Sequence, residues 1–354
     1  MSDLLVELVR RYSPSEQEAP AVRYLVEWMN AHGFDAEADP AGNAVGLRGP
    51  LDAPHTLLLL GHIDTVPGEI PVRVDDGSLY GRGSVDAKGS LCAFADAAAQ
   101  AEPGPGWRVM VVGAVEEETA TSKGARYIRD EFTPDLCIIG EPSGVERITL
   151  GYKGRLLLDY TLTRPVVHTS RPEPTVGALG AAFWQSIQEW AAQKNTNVER
   201  SFDQVLPGLR SINTESDHFY ETLRMTIGFR LPPHLPPQDV AEAVSALAEP
   251  DAEIRTYSAE LAYVGNKNNA LVRGMLAAIR AAGGQPGFVL KGGTSDMNVV
   301  GAAWTCPIIA YGPGDSSLDH TPNEHLPLAE YAQAVAALRY LIEHLSQTVS
   351  NSRA

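Results

Sequence analysis

Three apolar runs, each closing on polar or acidic residues, constrain this 354-residue chain more than any other feature. They are HTLLLLGHIDTVPG from His55, WRVMVVGAVEEE from Trp107 and PDLCIIGEPS from Pro134. A short apolar run bounded by breakers or charge reads as a strand buried on both faces. Helical patterns lie around them. Ala21 to His32 carries apolar residues at helical spacing, with Gly33 as a stop, and SLCAFADAAAQAE and TSKGARYIRDEF follow the same logic. Alternation of this kind predicts an α/β sheet with parallel strands. Ligands of such sheets gather beyond the carboxyl ends of the strands, which is where these runs place His and Glu.

From about Tyr152 the texture changes. GRLLLDYTLT and ETLRMTIGFRLPP alternate as half-buried strands do, around a long helical segment near Ala178 to Gln193. From Asn266 the α/β texture returns, ending in the helix AEYAQAVAALRYLIEHL. The expected organisation is a discontinuous domain of residues 1–151 and 264–354, with a mixed, mainly parallel sheet flanked by helices. An α+β segment, 152–263, is inserted into it. A chain of this length suits one large domain or two smaller ones.

Charge and cysteine usage narrow the function classes. Lys and Arg number 28 against 44 Asp and Glu, a formal net charge of −16. That balance argues against nucleic acid or an anionic membrane as the main partner, because phosphate binding needs clustered cations. Cys92, Cys137 and Cys306 are odd in number, far apart and form no CxxC pair, which argues against a thiolate zinc site or a disulfide framework. No apolar run approaches the ~20 residues of a membrane span, and the first residues do not resemble a signal peptide. The chain reads as cytoplasmic.

Five clusters carry chemistry, and each has a bland reading beside the functional one. His62 and Asp64 share one face of a strand end, as a ligand with its orienting carboxylate or as a solvated pair. Asp86, in GRGSVDAKG, either bridges two cations or caps the following helix. Glu116-Glu117-Glu118 repel one another unless solvated or neutralised by a cation. Glu141 closes another strand, and His320 lies in LDHTPNEH as a ligand or a surface histidine. Taken in order, these residues form a nitrogen and oxygen ligand set without thiolates. Such a set suits Zn²⁺ or Co²⁺, and one carboxylate between two groups of ligands makes a two-metal site.

The strings LLGHIDTVP, LYGRGSVDAKG, GAVEEE, IIGEPS, KGGTSDMN and LDHTPNE, in that order, resemble the M20 family of metallopeptidases and amidohydrolases. Within it, GYKGRL, VEEETATSKGAR, LKGGTSDMNVV and YGPGDSSLDHTPNEH resemble the LysK-type branch. Members of that branch release lysine or ornithine from the C-terminal γ-glutamyl group of LysW, a small acidic carrier protein. The resemblance implies that His62, Asp86 and Glu141 hold one divalent metal. Asp86, Glu118 and His320 would hold the other, with Zn²⁺ the expected ion and Co²⁺ a substitute. Asp64 would orient His62, and Glu117 would be the general base. The register with Glu116 as base and Glu117 as ligand stays open.

By the same resemblance the insert is a lid or dimerisation domain, and the protein a homodimer. His168 would stabilise the oxyanion of a neighbouring site, and Arg230 would meet a substrate carboxylate. Lys153, Lys291, Gly293, Thr294 and Ser295 would line the substrate pocket. Two other functions compete with the carrier-protein hydrolase. One is a deacylase of a free N-acyl amino acid such as N-acetylornithine, N-acetyllysine or N-succinyl-diaminopimelate. The other is a metal-binding protein without turnover. An acidic carrier meeting an acidic enzyme requires a local basic rim, with Lys153, Arg155, Arg230 and Lys291 the candidates.

Overall fold

A computed structural model describes residues 3–168 and 170–350, with side chains to 347. The described chain divides into two compact units. One comprises Met1–Gly151, Gly265–Leu290 and Ser295–Ala354; the other comprises Tyr152–Val264 and Lys291–Thr294.

The first unit is built on a mixed sheet. Seven of its strands run in the order Asp35–Ala38, Ala44–Arg48, Trp107–Ala114, His55–His62, Leu136–Gly140, Ile308–Ala310, Arg147–Tyr152. His55–His62 lies parallel to both Trp107–Ala114 and Leu136–Gly140, and Leu136–Gly140 lies parallel to Ile308–Ala310. The flanking pairs are antiparallel. The fold is therefore α/β with a mainly parallel centre.

The apolar runs form these central strands because both sheet faces are covered. Leu57, Leu58, Leu59 and Leu60 are all fully buried, and alternation along the strand sends them to opposite faces. Leu57 and Leu59 join a core with helices Asp3–Arg10, Ala19–Ala31, Lys88–Gln100 and Leu328–Glu343. The alanines of Lys88–Gln100 let that helix sit close to the sheet, and it is buried from Lys88 to Ala98. Gly140 matters for the same reason. A Cβ there would lie 2.8 Å from the Phe94 ring and 3.1 Å from the Gly61 backbone.

A small antiparallel sheet, Arg73–Asp75, Ser78–Tyr80 and His325–Pro327, adjoins the loops that leave these strands. No helix among the described residues is long and apolar enough to cross a membrane.

The second unit is a four-stranded antiparallel sheet in the order Leu206–Ser216, Tyr220–Leu231, Gly154–Pro165, Glu253–Glu260. Alternate residues Leu156, Leu158, Tyr160 and Leu162 meet Leu223, Met225, Ile227 and Phe229 on one face. Helices Val176–Lys194 and Pro237–Ser245 cover that face through Phe183, Ile187, Val240 and Val244. The strand Leu206–Ser216 is mostly polar and exposed, which hid it from pattern reading. It forms one outer edge of the sheet.

Candidate metal centre

The sheet delivers polar side chains to one place because its parallel strands end together. His62 is the last residue of its strand, Glu117 and Glu118 follow Trp107–Ala114 closely, and Glu141 directly follows Leu136–Gly140. Asp86 stands two residues before helix Lys88–Gln100, and its peptide bond to Ala87 is cis. His320 comes two residues after the short helix Ser316–Leu318.

Three groups of ligand atoms each lie within 4.8 Å of one another: His62, Asp86 and Glu141; Asp86, Glu118 and His320; His62, Glu117 and Glu118. Asp86 is shared by the first two. Its Oδ1 is 3.2 Å from His62 Nε2, and its Oδ2 is 3.0 Å from His320 Nε2. Glu118 Oε1 lies 3.1 Å from the same His320 nitrogen. One carboxylate thus turns an oxygen to each of two imidazoles, with a further carboxylate beside each. This nitrogen and oxygen donor set fits two divalent cations.

The charges make the same point. Asp64, Asp86, Glu117, Glu118 and Glu141 crowd around two histidines. Burial pushes Asp86 up, but His320 and His62 more than offset it and hold its carboxyl well below the usual range. Burial raises Glu118, partly offset by the His320 imidazole. Asp86 and Glu118 push His320 up to about 10. Burial works against a charged His62, yet Asp64 and Asp86 raise it well above the ordinary value. Glu117 is raised well above the ordinary carboxyl value, first by burial and then by Asp296, Glu141 and Glu118, against the lowering effect of His62.

Asp64 does more than face His62. His62 Nδ1 donates to the Asp64 backbone carbonyl at 3.0 Å, and the carboxylate stands 3.5 Å away. That carboxylate, fully buried, accepts the backbone N–H of Glu117 and of Glu118, each at 3.1 Å, and the Ser15 hydroxyl at 2.7 Å. The N–H of Glu116 goes to Glu18 Oε1 at 3.1 Å. Three successive amides of the acidic run are therefore held by buried carboxylates. Glu116 takes a left-handed backbone conformation, φ 59°. Its side chain accepts from Thr121 at 2.9 Å and Lys123 at 3.3 Å. That turn leaves Glu117 and Glu118 to face the histidines.

The remaining expected residues lie in the second unit or at its boundary. His168 is exposed, and its Nδ1 accepts the Ser170 backbone N–H at 3.2 Å. Arg230 Nη1 donates to Thr294 Oγ1 at 2.8 Å, and Thr294 donates to the Lys153 carbonyl at 3.0 Å. Lys291 and Gly293 are half-buried. Ser295 accepts the Met297 N–H as the cap of helix Asp296–Gly301. Lys153 corrects the expectation of a rim cation. It is fully buried, and its ammonium donates to the carbonyls of Ser201 at 2.9 Å and Phe202 at 3.1 Å, and to that of Gln204. Three backbone carbonyls satisfy the three donors of a lysine, so its charge is spent inside the unit.

Sequence reading assigned no role to Ser15, Glu18, Arg82 or Glu324. Each works by hydrogen bonding to backbone or to another carboxylate, which leaves no spacing signature.

The pattern of peptidase family M20/M25/M40 matches residues 58–344. A LysW-lysine hydrolase of Deinococcus radiodurans is 45% identical over 350 residues, covering 97% of this chain and 96% of that one. A tripeptidase from Staphylococcus aureus superposes with a TM-score of 0.76 at 20% identity, covering 98% and 97% of the two chains. A dinuclear metal binding peptidase of the M20 family from Bacillus subtilis gives 0.71 at 13% identity, covering 98% of each. These two structures speak for the fold alone. The family match and the 45% identical relative, both spanning the strands that carry the cluster, show that the protein belongs to the M20 family of metal-dependent hydrolases.

Proposed function

We propose that the protein is a two-metal amidohydrolase that releases lysine, ornithine or both from the C-terminal γ-glutamyl group of a LysW-type carrier. The observation that carries the two-metal part is the shared Asp86 carboxylate, with one oxygen toward His62 and the other toward His320. His62, Asp86 and Glu141 would hold one ion, and Asp86, Glu118 and His320 the other. The 45% identical LysW-lysine hydrolase supports the substrate.

Two divalent ions, when bound there, would supply Lewis acidity to a water and to the scissile carbonyl. The chain supplies the rest. Glu117, its carboxyl raised by burial and acidic neighbours, takes the proton of the attacking water and returns it to the departing amine. Asp64 fixes the His62 ring and the turn that carries Glu117 and Glu118. His168 is the oxyanion donor in this scheme. Its Nδ1 faces Ser170, which leaves Nε2 as the ring nitrogen that would meet the oxyanion. Arg230, with Lys291, Gly293, Thr294 and Ser295, forms the substrate side.

The insert serves as a dimerisation domain in this reading. Its outer strand Leu206–Ser216 presents Leu206 and Ile212 to solvent, and Phe219 beside it is 77% exposed. An edge with exposed apolar residues is suited to pairing with a second copy.

Product analysis tests the substrate. The metal-loaded enzyme is offered carrier-linked γ-glutamyl-lysine and γ-glutamyl-ornithine beside N-acetylornithine, N-acetyllysine and N-succinyl-diaminopimelate. Turnover of the carrier conjugates is expected. Turnover confined to the free acyl compounds overturns this reading in favour of the small-molecule deacylase.

A further inference from the structure

Arg82 and Glu324 lie inside the two motifs that carry Asp86 and His320, yet neither is among the residues of the ligand groups. Their place is set by the small sheet. Strand Ser78–Tyr80 pairs antiparallel with His325–Pro327, Tyr80 opposite His325, and the two rings stack with centroids 4.8 Å apart. The chain leaving the first strand reaches Asp86 six residues on. The chain entering the second strand has passed His320 five residues before. The two ligand loops therefore spring from one root.

Just beyond that root the loops grip each other. Gly81 N–H donates to the Glu324 carbonyl at 3.4 Å. The Glu324 side chain, fully buried, turns into the Asp86 loop, where Oε1 accepts the N–H of Val85 at 2.9 Å and of Asp86 itself at 3.1 Å. Its Oε2 accepts from Arg82 Nη1 at 2.8 Å. Arg82 returns the grip: Nη1 also donates to the carbonyl of Thr321, next to His320, at 3.3 Å, and Nε donates to the Gly68 carbonyl at 2.9 Å. The His320 side chain is 53% exposed, so packing does little to hold its ring. Its backbone, with a φ of 62°, has to be placed from outside the loop.

We propose that the Arg82–Glu324 pair is a positioning device that fixes the spacing between Asp86 and His320. It thereby governs the metal position these two share with Glu118, and leaves the His62–Asp86–Glu141 position largely untouched. The inference rests on the two-metal reading of the cluster. The physical reason is tolerance: metal–ligand distances hold to within about 0.2 Å, and a ligand on a loop meets that only if the loop is anchored. Partners behind the ligands typically govern affinity by about 10–100-fold. The other position takes two of its three ligands from strand ends of the central sheet, which need no such anchor.

The test is zinc stoichiometry and affinity, measured on chelated and reloaded enzyme by mass-spectrometric metal analysis at fixed free Zn²⁺ and by calorimetric titration. Glu324→Gln keeps an acceptor for Val85 and Asp86 but turns an amide donor against Arg82. Arg82→Lys keeps the charge but gives up the fork to Thr321 and Gly68. Both should retain one tight ion and bind the second about 10–100-fold more weakly, with kcat restored by excess Zn²⁺ and KM unchanged. Should Glu324→Gln not fold, Arg82→Lys and the charge-free pair Arg82→Gln/Glu324→Gln carry the same measurement. Two ions bound with wild-type affinity in the variants overturn the proposal, and so does equal weakening of both ions. A wild-type enzyme that takes up fewer than two ions sinks the two-metal reading, and the proposal with it.

Discussion

Replacing Asp64 by Asn separates the role of its charge from that of its shape. The carboxylate accepts three hydrogen bonds in a fully buried setting: Oδ1 from the Glu117 N–H, Oδ2 from the Glu118 N–H and the Ser15 hydroxyl. An amide keeps one oxygen. With the NH₂ at Oδ1, the Glu117 N–H faces a donor. With it at Oδ2, the Glu118 N–H does, although Ser15 can rotate and accept. Either way one buried amide loses its acceptor, which costs about 1–3 kcal/mol. At roughly 2–4 °C per kcal/mol, Tm should fall by roughly 2–12 °C. The released amide also frees the turn that aims Glu117, and a shift of about 1 Å in such a group costs about 100-fold in rate. The assay pairs thermal unfolding with steady-state hydrolysis, using Ser15→Ala as a control. That control removes one donor to the carboxylate but leaves both amides held, so its cost should stay near about 1 kcal/mol. An Asp64→Asn enzyme with wild-type Tm and kcat would refute the reasoning, as would a Ser15→Ala enzyme equally impaired.

Two further outcomes follow from the cluster. Glu117→Gln should lower kcat by at least about 100-fold while two metals remain bound, and Glu116→Gln, whose side chain pairs with Thr121 and Lys123, should stay active; the reverse pattern by kinetics and metal analysis means the other register. Chelation should abolish turnover and lower Tm, with both restored by Zn²⁺ or Co²⁺. The stability gained on reloading grows with free metal, about 2.7 kcal/mol at a hundredfold excess over Kd.

What the sequence revealed, and what it hid, divides along physical lines. The strands His55–His62, Trp107–Ala114 and Leu136–Gly140 were legible because a strand buried on both faces has to be continuously apolar. The polar residues that end them were legible as a set for the same reason. The choice between Glu116 and Glu117 was not, since it turns on a left-handed backbone at Glu116 that no neighbouring residue type announces. Glu18 and Glu324 were invisible as partners because backbone amides can be held from any distance along the chain. The edge strand Leu206–Ser216 lacks a buried face strong enough to alternate. Lys153 misled for a related reason: it was placed at the rim because an acidic carrier calls for cations there, and only the fold brings three carbonyls around it.

Lys153 also supplies a pH-dependent test. Burial pushes its ammonium down to about 8, from 10.5 in the unfolded chain. Between those values the folded state binds fewer protons than the unfolded one, so stability gained from this group rises with pH across about 8 to 10.5. It is lost as pH falls through 8, below which both states carry the charge. Lys153→Met removes that slope. It also removes the donor from the carbonyls of Ser201, Phe202 and Gln204, so it should cost on the order of 2 kcal/mol at pH 7. The comparison is Tm against pH for the two proteins, alongside KM for a carrier conjugate at low and high salt. A fastener predicts lost stability, a flattened alkaline limb and a salt response of KM like that of wild type. A rim cation predicts the opposite: Tm unchanged, and a raised KM whose dependence on salt is weaker, because a screened attraction has gone. In the fastener case, the recognition of an acidic carrier by a chain of net charge −16 falls to other cations, Arg230 and Lys291 first among them.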